Sequence, residues 1–179
     1  MLAELGVSKD ELKEKKAVEV GNIFPLGTRF SEPLGLNFTD ESGQQQPVIM
    51  GCYGIGPGRV MGTIVEHFAD ERGLVWPANI APYGVYICQI GDSDTIEKAV
   101  EQAYNSLSGQ GISVLWDDRA ERPGEQFADA DLFGIPNRVV VSEKSLQAGG
   151  YELKKRTEDA TKIVSLEQLN KLLGKSKQD

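Results

Sequence analysis

The sequence has few of the residues that bind metal ions or form disulfide bonds. It contains two cysteines, Cys52 and Cys88, and one histidine, His67, among 179 residues. Two separated cysteines do not make a disulfide framework, and with one histidine they fit no zinc-binding pattern. Cys88 lies in the apolar run VYICQI, which predicts a buried thiol. The composition therefore argues against a disulfide-stapled domain, and we expect no protein-bound metal.

Long apolar runs are also missing. No run approaches the roughly 18 residues that a membrane-spanning helix requires, and the first residues, MLAELGVSKDELKEKK, are charged where a signal peptide would be apolar. Hydrophobic residues make up 40% of the chain, which is enough for a core. We therefore expect a cytoplasmic protein with no membrane partner, built as one medium domain or two small ones.

Positive charge is scarce as well. The formal net charge is −8, which argues against broad, sequence-independent binding of nucleic acids. It leaves open a protein that reads RNA through a few placed groups. From residue 143 onward, eight Lys and Arg residues stand against six Asp and Glu residues, so a weak basic excess lies at the carboxyl-terminal end.

Glycine, in contrast, is concentrated in GCYGIGPGR at residues 51–59. A strand-like apolar run at 48–50 precedes this stretch, and a helix-like run at 60–69 follows it. Glycines let a backbone approach a ligand closely and adopt positive φ where needed. A helix start after such a loop offers free N–H groups, and Arg59 adds a planar cation suited to phosphate oxygens. The combination predicts a nucleotide site.

Two well-known nucleotide motifs do not fit this stretch. A P-loop would end in Gly-Lys-Ser/Thr, which is absent, and a dinucleotide-binding motif would have an acidic residue about 20 positions further on. Residues 78–82 contain no acid, and Pro57 stiffens the loop. Taken alone, the stretch is therefore either a nucleotide site or a tight structural turn.

A wider set of motifs carries a specific resemblance. The chain from about residue 17 resembles the carboxyl-terminal portion of bacterial-type prolyl-tRNA synthetases, which are class II aminoacyl-tRNA synthetases. The stretch GIGPGR looks like their motif 3, and residues 117–141 look like their anticodon-binding domain. The matching segments are EVGNIFPLGTRFSEP (19–33), QPVIMGCYGIGPGRVMGTIVE (46–66), DERGLVWP (70–77) and DDRAERPGEQFADADLFGIPNRVVV (117–141).

The order of predicted elements fits two domains. Residues 34–50 predict an antiparallel hairpin, and WPANIAPYG at 76–84 has the composition of a linker. After it, strands and helices alternate, which predicts a small α/β domain with a mixed sheet covered by helices. The resemblance implies that residues 1–77 are the end of a class II catalytic domain, a remnant of its antiparallel sheet with the motif 3 helix. Residues 78–179 would be the anticodon-binding domain.

The resemblance also implies roles for residues of the first domain. Gly54, Gly56, Gly58 and Arg59 would bind ATP, which is a substrate accompanied by Mg²⁺ in the intact enzyme. Cys52, Asn22 and Gly54 would line the pocket for L-proline. Asn22 departs from the family, which usually has His at this position, and Asn cannot carry a charge.

In the second domain, the resemblance assigns anticodon contacts to a loop and the following helix. The residues are Asp118, Arg119, Glu121, Arg122 and Gln126. Arginine can pair forkwise with the O6/N7 edge of guanine, and carboxylates accept from base amines, which suits the two guanines that proline anticodons share. Without the resemblance, a salt-bridged surface turn would be the preferred interpretation. Gln126 and Asn137 depart from the Lys and His that the family more often has.

Two earlier class II motifs, the dimer-forming motif 1 and the α-phosphate-binding motif 2, have no counterpart in the sequence. We therefore expect this chain to be part of a proline–tRNA ligase that is inactive alone, whereas the intact enzyme would be a homodimer acting on proline tRNA, L-proline and ATP. The alternative is a free-standing tRNA- or RNA-binding module with a vestigial catalytic segment. The preserved glycine stretch with Arg59 favours the first hypothesis, because a binding module has no use for an ATP loop.

Overall fold

The computed structural model describes residues 6, 8, 10 and 12–174. The chain divides into two compact units, Met1–Thr63 and Ile64–Asp179, and the division falls within helix α1 (Pro57–Phe68). Residues 69–84 contain no regular helix or strand, as their composition indicates. The domain boundary between residues 77 and 78 stays a prediction.

The first unit contains two short antiparallel pairs of strands. Strand β1 (Gly21–Gly27) pairs with β4 (Met50–Ile55), and β2 (Asn37–Thr39) pairs with β3 (Gln45–Pro47). The predicted hairpin is therefore present in the β2–β3 pair, with strands of three residues each. In its turn, the carboxylate of Asp40 accepts hydrogen bonds from the Ser42 hydroxyl and nearby backbone N–H groups, which lowers its pKa to about 2.

The glycine-rich stretch is largely a strand, which corrects the predicted loop. Gly51 and Gly54 lie inside β4, residues 48 and 49 lie outside it, and α1 begins at Pro57 rather than at residue 60. Pairing with β1 outweighs the weak strand preference of glycine, and proline suits the first helical turn because its missing N–H would have no partner there. None of the glycines between residues 51 and 58 has positive φ. These glycines therefore contribute through the space left by their missing side chains, and not through an unusual backbone conformation.

The second unit is built on a five-stranded mixed sheet. Strands β5 (Val85–Ile90), β6 (Val114–Asp117) and β7 (Asn137–Ser142) are parallel, whereas β8 (Tyr151–Lys155) and β9 (Thr161–Val164) run antiparallel to their neighbours. The spatial order is β6-β5-β7-β8-β9. The predicted mixed sheet is confirmed.

Helices cover both faces of this sheet. They are α2 (Asp94–Gly109), α3 (Pro123–Phe133), the short α4 (Glu143–Gln147), which the sequence did not predict, and α5 (Leu166–Gly174). Alternate residues of β5 contact opposite layers, since Val85 and Ile87 pack with α2 and α5, while Tyr86 and Cys88 pack with α3. This two-sided burial explains why β5 is continuously apolar. Cys88 is fully buried, as predicted, and burial raises its pKa to about 12.

Candidate functional site

The residues predicted for the proline pocket lie on one face of the β1–β4 pair. Asn22 is opposite Gly54, and Phe24 is opposite Cys52, in the antiparallel register. Because successive strand residues alternate between faces, Asn22, Cys52 and Gly54 share a face. The side-chain nitrogen of Asn22 donates to the carboxylate of Glu19 at 3.3 Å, and Cys52 is exposed.

A groove next to this face contains all four residues predicted for ATP. Gly54, Gly56, Gly58 and Arg59 line it together with Asn22. Apart from the adjacent residues and, at Gly58, the backbone of its own helix, a Cβ built at Gly54 or Gly58 would meet no heavy atom of the described residues within 4 Å. A Cβ at Gly56 would lie 3.5 Å from the Cβ of Arg59. The groove is therefore open at two of the glycines, and side chains there would project into space that a ligand could use.

Two long-range hydrogen bonds hold the start of α1 against the segment before β1. Arg59 Nη1 donates to the carbonyl oxygen of Glu19 at 2.7 Å, and the backbone N–H of Gly56 donates to the carbonyl oxygen of Val20 at 2.9 Å. These bonds fix the guanidinium at the groove. In the described part of the chain its other N–H groups have no acceptor, so they are available to phosphate oxygens.

In the second unit, the predicted RNA-contacting loop begins where β5 and β6 end side by side. The helices after these strands cover opposite faces of the sheet, and open α/β sheets bind ligands at such a switch point. Strand β6 ends in Asp117, which is only 5% exposed and accepts a hydrogen bond from the Tyr86 hydroxyl at 2.7 Å. The loop therefore starts from a fixed, buried carboxylate.

Arg119 folds back onto this carboxylate. Its Nε and Nη2 donate to the two carboxylate oxygens of Asp117, each at 2.8 Å, and Nη2 also donates to Asp129 on α3 at 2.6 Å. The hydrogen bonds from Arg119 lower the pKa of Asp117 to about 2, and the two carboxylates raise the pKa of Arg119. The N–H groups on the Nε–Nη2 edge of the Arg119 guanidinium are therefore occupied by hydrogen bonds within the protein.

Gln126 is buried, although the sequence grouped it with residues that contact RNA. It is 1% exposed, and its amide nitrogen donates to the carbonyl oxygens of Gln89 at 3.1 Å and Arg119 at 3.2 Å. Its amide oxygen has no partner among the described residues. At this depth the side chain connects the end of β5 to the loop instead of facing solvent.

The other predicted residues of the loop are exposed. Asp118, Glu121 and Arg122 all face solvent. A hydrogen bond between the carboxyl groups of Glu121 and Glu125 raises the pKa of Glu121. Glu125 also accepts a hydrogen bond from the backbone N–H of Arg122 at 3.2 Å, whereas the guanidinium of Arg122 forms no ion pair within the residues that the structure describes.

A bidentate ion pair of the second unit was not predicted. Arg156, whose side chain is 2% exposed, donates to both carboxylate oxygens of Asp70 at 2.8 and 2.6 Å, and its Nε donates to the carbonyl oxygen of Asp131 at 3.1 Å. The hydrogen bond from Arg156 lowers the pKa of Asp70. No sequence pattern signals a pair whose members are 86 positions apart.

The described ranges contain neither a metal-binding cluster nor a membrane-spanning helix. No group of three or more His, Cys, Asp and Glu side chains there could hold a metal ion. Likewise, none of the described helices is long and apolar enough to cross a membrane.

Comparison with known proteins gives a consistent family. The family model of the anticodon-binding domain matches residues 84–176. Proline–tRNA ligases of Dehalococcoides mccartyi and Bacillus cereus are 47% and 49% identical over 87% and 86% of this chain, and that of Fervidobacterium nodosum is 46% identical over 94%. The chain spans 27–29% of the length of these relatives. It therefore belongs to the anticodon-binding domain family, and its relatives at this identity are aminoacyl-tRNA synthetases.

A solved structure supports the fold. The prolyl-tRNA synthetase of Cryptosporidium parvum, complexed with halofuginone and AMPPNP, matches 88% of this chain and 34% of its own with a TM-score of 0.73. Sequence identity is 22%. The match confirms the predicted fold class, in which a remnant of the class II sheet and the motif 3 helix precede a small α/β domain.

Proposed function

We propose that this chain is the part of a proline–tRNA ligase that carries the motif 3 portion of the ATP site and the anticodon reader. The observation that supports the proposal best is the loop at the end of β6. It is anchored by buried Asp117, yet it presents the exposed charged side chains of Asp118, Glu121 and Arg122. Single-stranded RNA is usually read by such groups, which hydrogen-bond to the edges of splayed bases.

In the proposed reaction, the carboxylate of L-proline attacks the α-phosphate of ATP, and pyrophosphate leaves. A hydroxyl of the terminal ribose of proline tRNA then attacks the carbonyl carbon of the prolyl-adenylate, so that the prolyl group passes to the tRNA and AMP leaves. The protein contributes by aligning the reactants and stabilising the spreading negative charge. The open positions at Gly54 and Gly58 admit the nucleotide, and Arg59, held by the backbone of Glu19, supplies a fixed cation. Mg²⁺ would enter with ATP. The reaction takes place in the cytoplasm, and the intact enzyme would be a homodimer.

For proline selection, the shared face of Asn22 and Cys52 would form part of the pocket wall. Cys52 is a small, weakly polar side chain that would fit the apolar ring of proline, and one methylene in such a pocket changes discrimination by about 1–3 kcal/mol. Asn22 can hydrogen-bond but cannot carry charge, so any contribution it makes to binding would be independent of pH near neutrality.

The test is binding of the 179-residue chain to a proline anticodon stem-loop and to a copy in which adenines replace the two shared guanines. Each mismatched base typically costs about 1–3 kcal/mol, so we expect at least roughly tenfold weaker binding of the altered RNA at one fixed salt concentration. Equal binding of the two RNAs, or no binding of either, would contradict the proposal.

A further inference from the structure

We propose that Arg122 is the guanidinium that reads a guanine of the bound RNA, and that Arg119 is a positioning residue that holds the loop in place. This division of roles rests on the proposed anticodon-reading function and deepens it. Both arginines lie in the same five-residue loop region, so only their surroundings distinguish them.

Arg119 has already used the donors that guanine recognition needs. Reading the O6/N7 edge of guanine takes two parallel N–H donors from one edge of a guanidinium. The Nε–Nη2 edge of Arg119 already donates two such parallel hydrogen bonds to the carboxylate of Asp117, each 2.8 Å long, and Nη2 donates a further one to Asp129. Turning Arg119 toward a base would leave the buried carboxylate of Asp117 without its cation, which is unfavourable.

Arg122 has the opposite character, since its backbone is fixed while its guanidinium is free. It is the residue before α3, its N–H donates to Glu125, and Pro123 restricts the backbone that follows. The loop leading to it is held where Gln126 donates to the carbonyl oxygen of Arg119. Within the described residues the guanidinium of Arg122 forms no ion pair, so all its donors can meet a ligand from a well-defined starting point.

The charge of the loop favours a base over a phosphate as the partner of Arg122. Residues 117–129 contain five Asp and Glu residues and two Arg residues. A phosphate would be repelled by this acidic surface. Guanine, however, offers acceptors to an arginine and N–H donors to carboxylates, and Glu121 and Glu125 lie next to Arg122 with exposed carboxyl groups. An unpaired guanine is therefore the ligand whose groups match.

The experiment compares Arg122→Lys and Arg122→Ala with the unchanged chain on the two stem-loops, over a series of salt concentrations. Lysine keeps the charge but lacks the planar fork. We expect both variants to lose most of the preference for guanine, by about tenfold, while the salt dependence and the melting temperature stay unchanged. Lys171→Ala, which removes an exposed charge on α5 across the sheet from α3, is the matched control and should keep the preference.

Arg119→Lys tests the positioning role. It should lower the melting temperature, because lysine cannot span both Asp117 and Asp129, and it should weaken the binding of both RNAs by the same factor, because the loop is held less firmly. The ratio of the two affinities, which is the preference for guanine, should be kept. The inference is overturned if Arg122→Lys retains the preference. It is also overturned if Arg122→Ala weakens the binding of both RNAs equally and reduces the slope of log affinity against log salt concentration by about 0.7. A change of this size is expected for the loss of one phosphate contact on a single strand. Absence of any preference in the unchanged chain would instead refute the proposed function itself.

Discussion

Removal of the Asp70 carboxylate should destabilise the second unit, because Asp70→Ala leaves the buried guanidinium of Arg156 without its main partner. Breaking a buried ion pair from one side typically costs about 3–5 kcal/mol. Here Asp70 is 41% exposed, and Asp131 remains 3.9 Å from Arg156. Because solvent and Asp131 offset part of the loss, we expect about 2 kcal/mol.

The assay is urea unfolding followed by tryptophan fluorescence. The two tryptophans of the chain, Trp76 and Trp116, both lie in the second unit, so the signal reports on that unit within the whole chain. Asp159→Ala is the control, since its side chain is 98% exposed and forms only a 3.7 Å pair with Arg72. Exposed ion pairs of this kind contribute about 0–1 kcal/mol to the free energy of unfolding, so the control should change it little.

A double-variant cycle separates the ion pair from other effects of the substitution. Asp70→Ala combined with Arg156→Met removes both charges, so its cost should be smaller than the sum of the two single costs by about 1 kcal/mol or more. Additive costs would refute the reasoning. A change of less than about 0.5 kcal/mol for Asp70→Ala alone would refute it as well.

Three further predictions follow from other parts of the chain. Because the pKa of Asp117 is lowered to about 2, its stabilising contribution is complete above the unfolded pKa of about 3.9 and is lost as pH falls below it. Acid should therefore destabilise the unchanged chain by about 2 kcal/mol more than Asp117→Asn, as measured by urea unfolding at pH 6 and pH 2. A thiol reagent should modify exposed Cys52 at once and buried Cys88 only on unfolding, and equal rates would contradict the structure. Ile23 and Tyr53, 77% and 83% exposed, should bind a hydrophobic dye, and the signal should fall in a variant with Ser at both positions.

The regular elements of the second unit could be predicted from sequence because periodicity encodes them. The apolar positions of α2, such as Ile96, Val100 and Leu107, recur at helical spacing, and all three are buried. The continuous apolar run VYICQI at residues 85–90 forms strand β5. The glycine-rich β4 was missed for the converse reason, since glycine has little strand preference and only pairing with β1 makes it a strand.

For the candidate sites, the sequence predicts which types of residue take part, but it does not predict their burial or their hydrogen-bond partners. DDRAERPGEQ looks like an exposed charged loop, and nothing local shows that Asp117 is buried or that Tyr86, 31 positions earlier, donates to it. Gln126 looks like a surface amide, yet helix α3 turns it inward. Such roles depend on which strands lie side by side, and that arrangement is a property of the fold.

The acidity of the loop at the end of β6 has a kinetic consequence. A surface that repels phosphates works against electrostatic steering, so association with RNA should be no faster than the unsteered rate of about 10⁵–10⁶ M⁻¹s⁻¹ and should not slow as the salt concentration rises. Selectivity would then depend on slow dissociation of the matching RNA. RNAs that do not present unpaired guanines to these carboxylates would dissociate quickly.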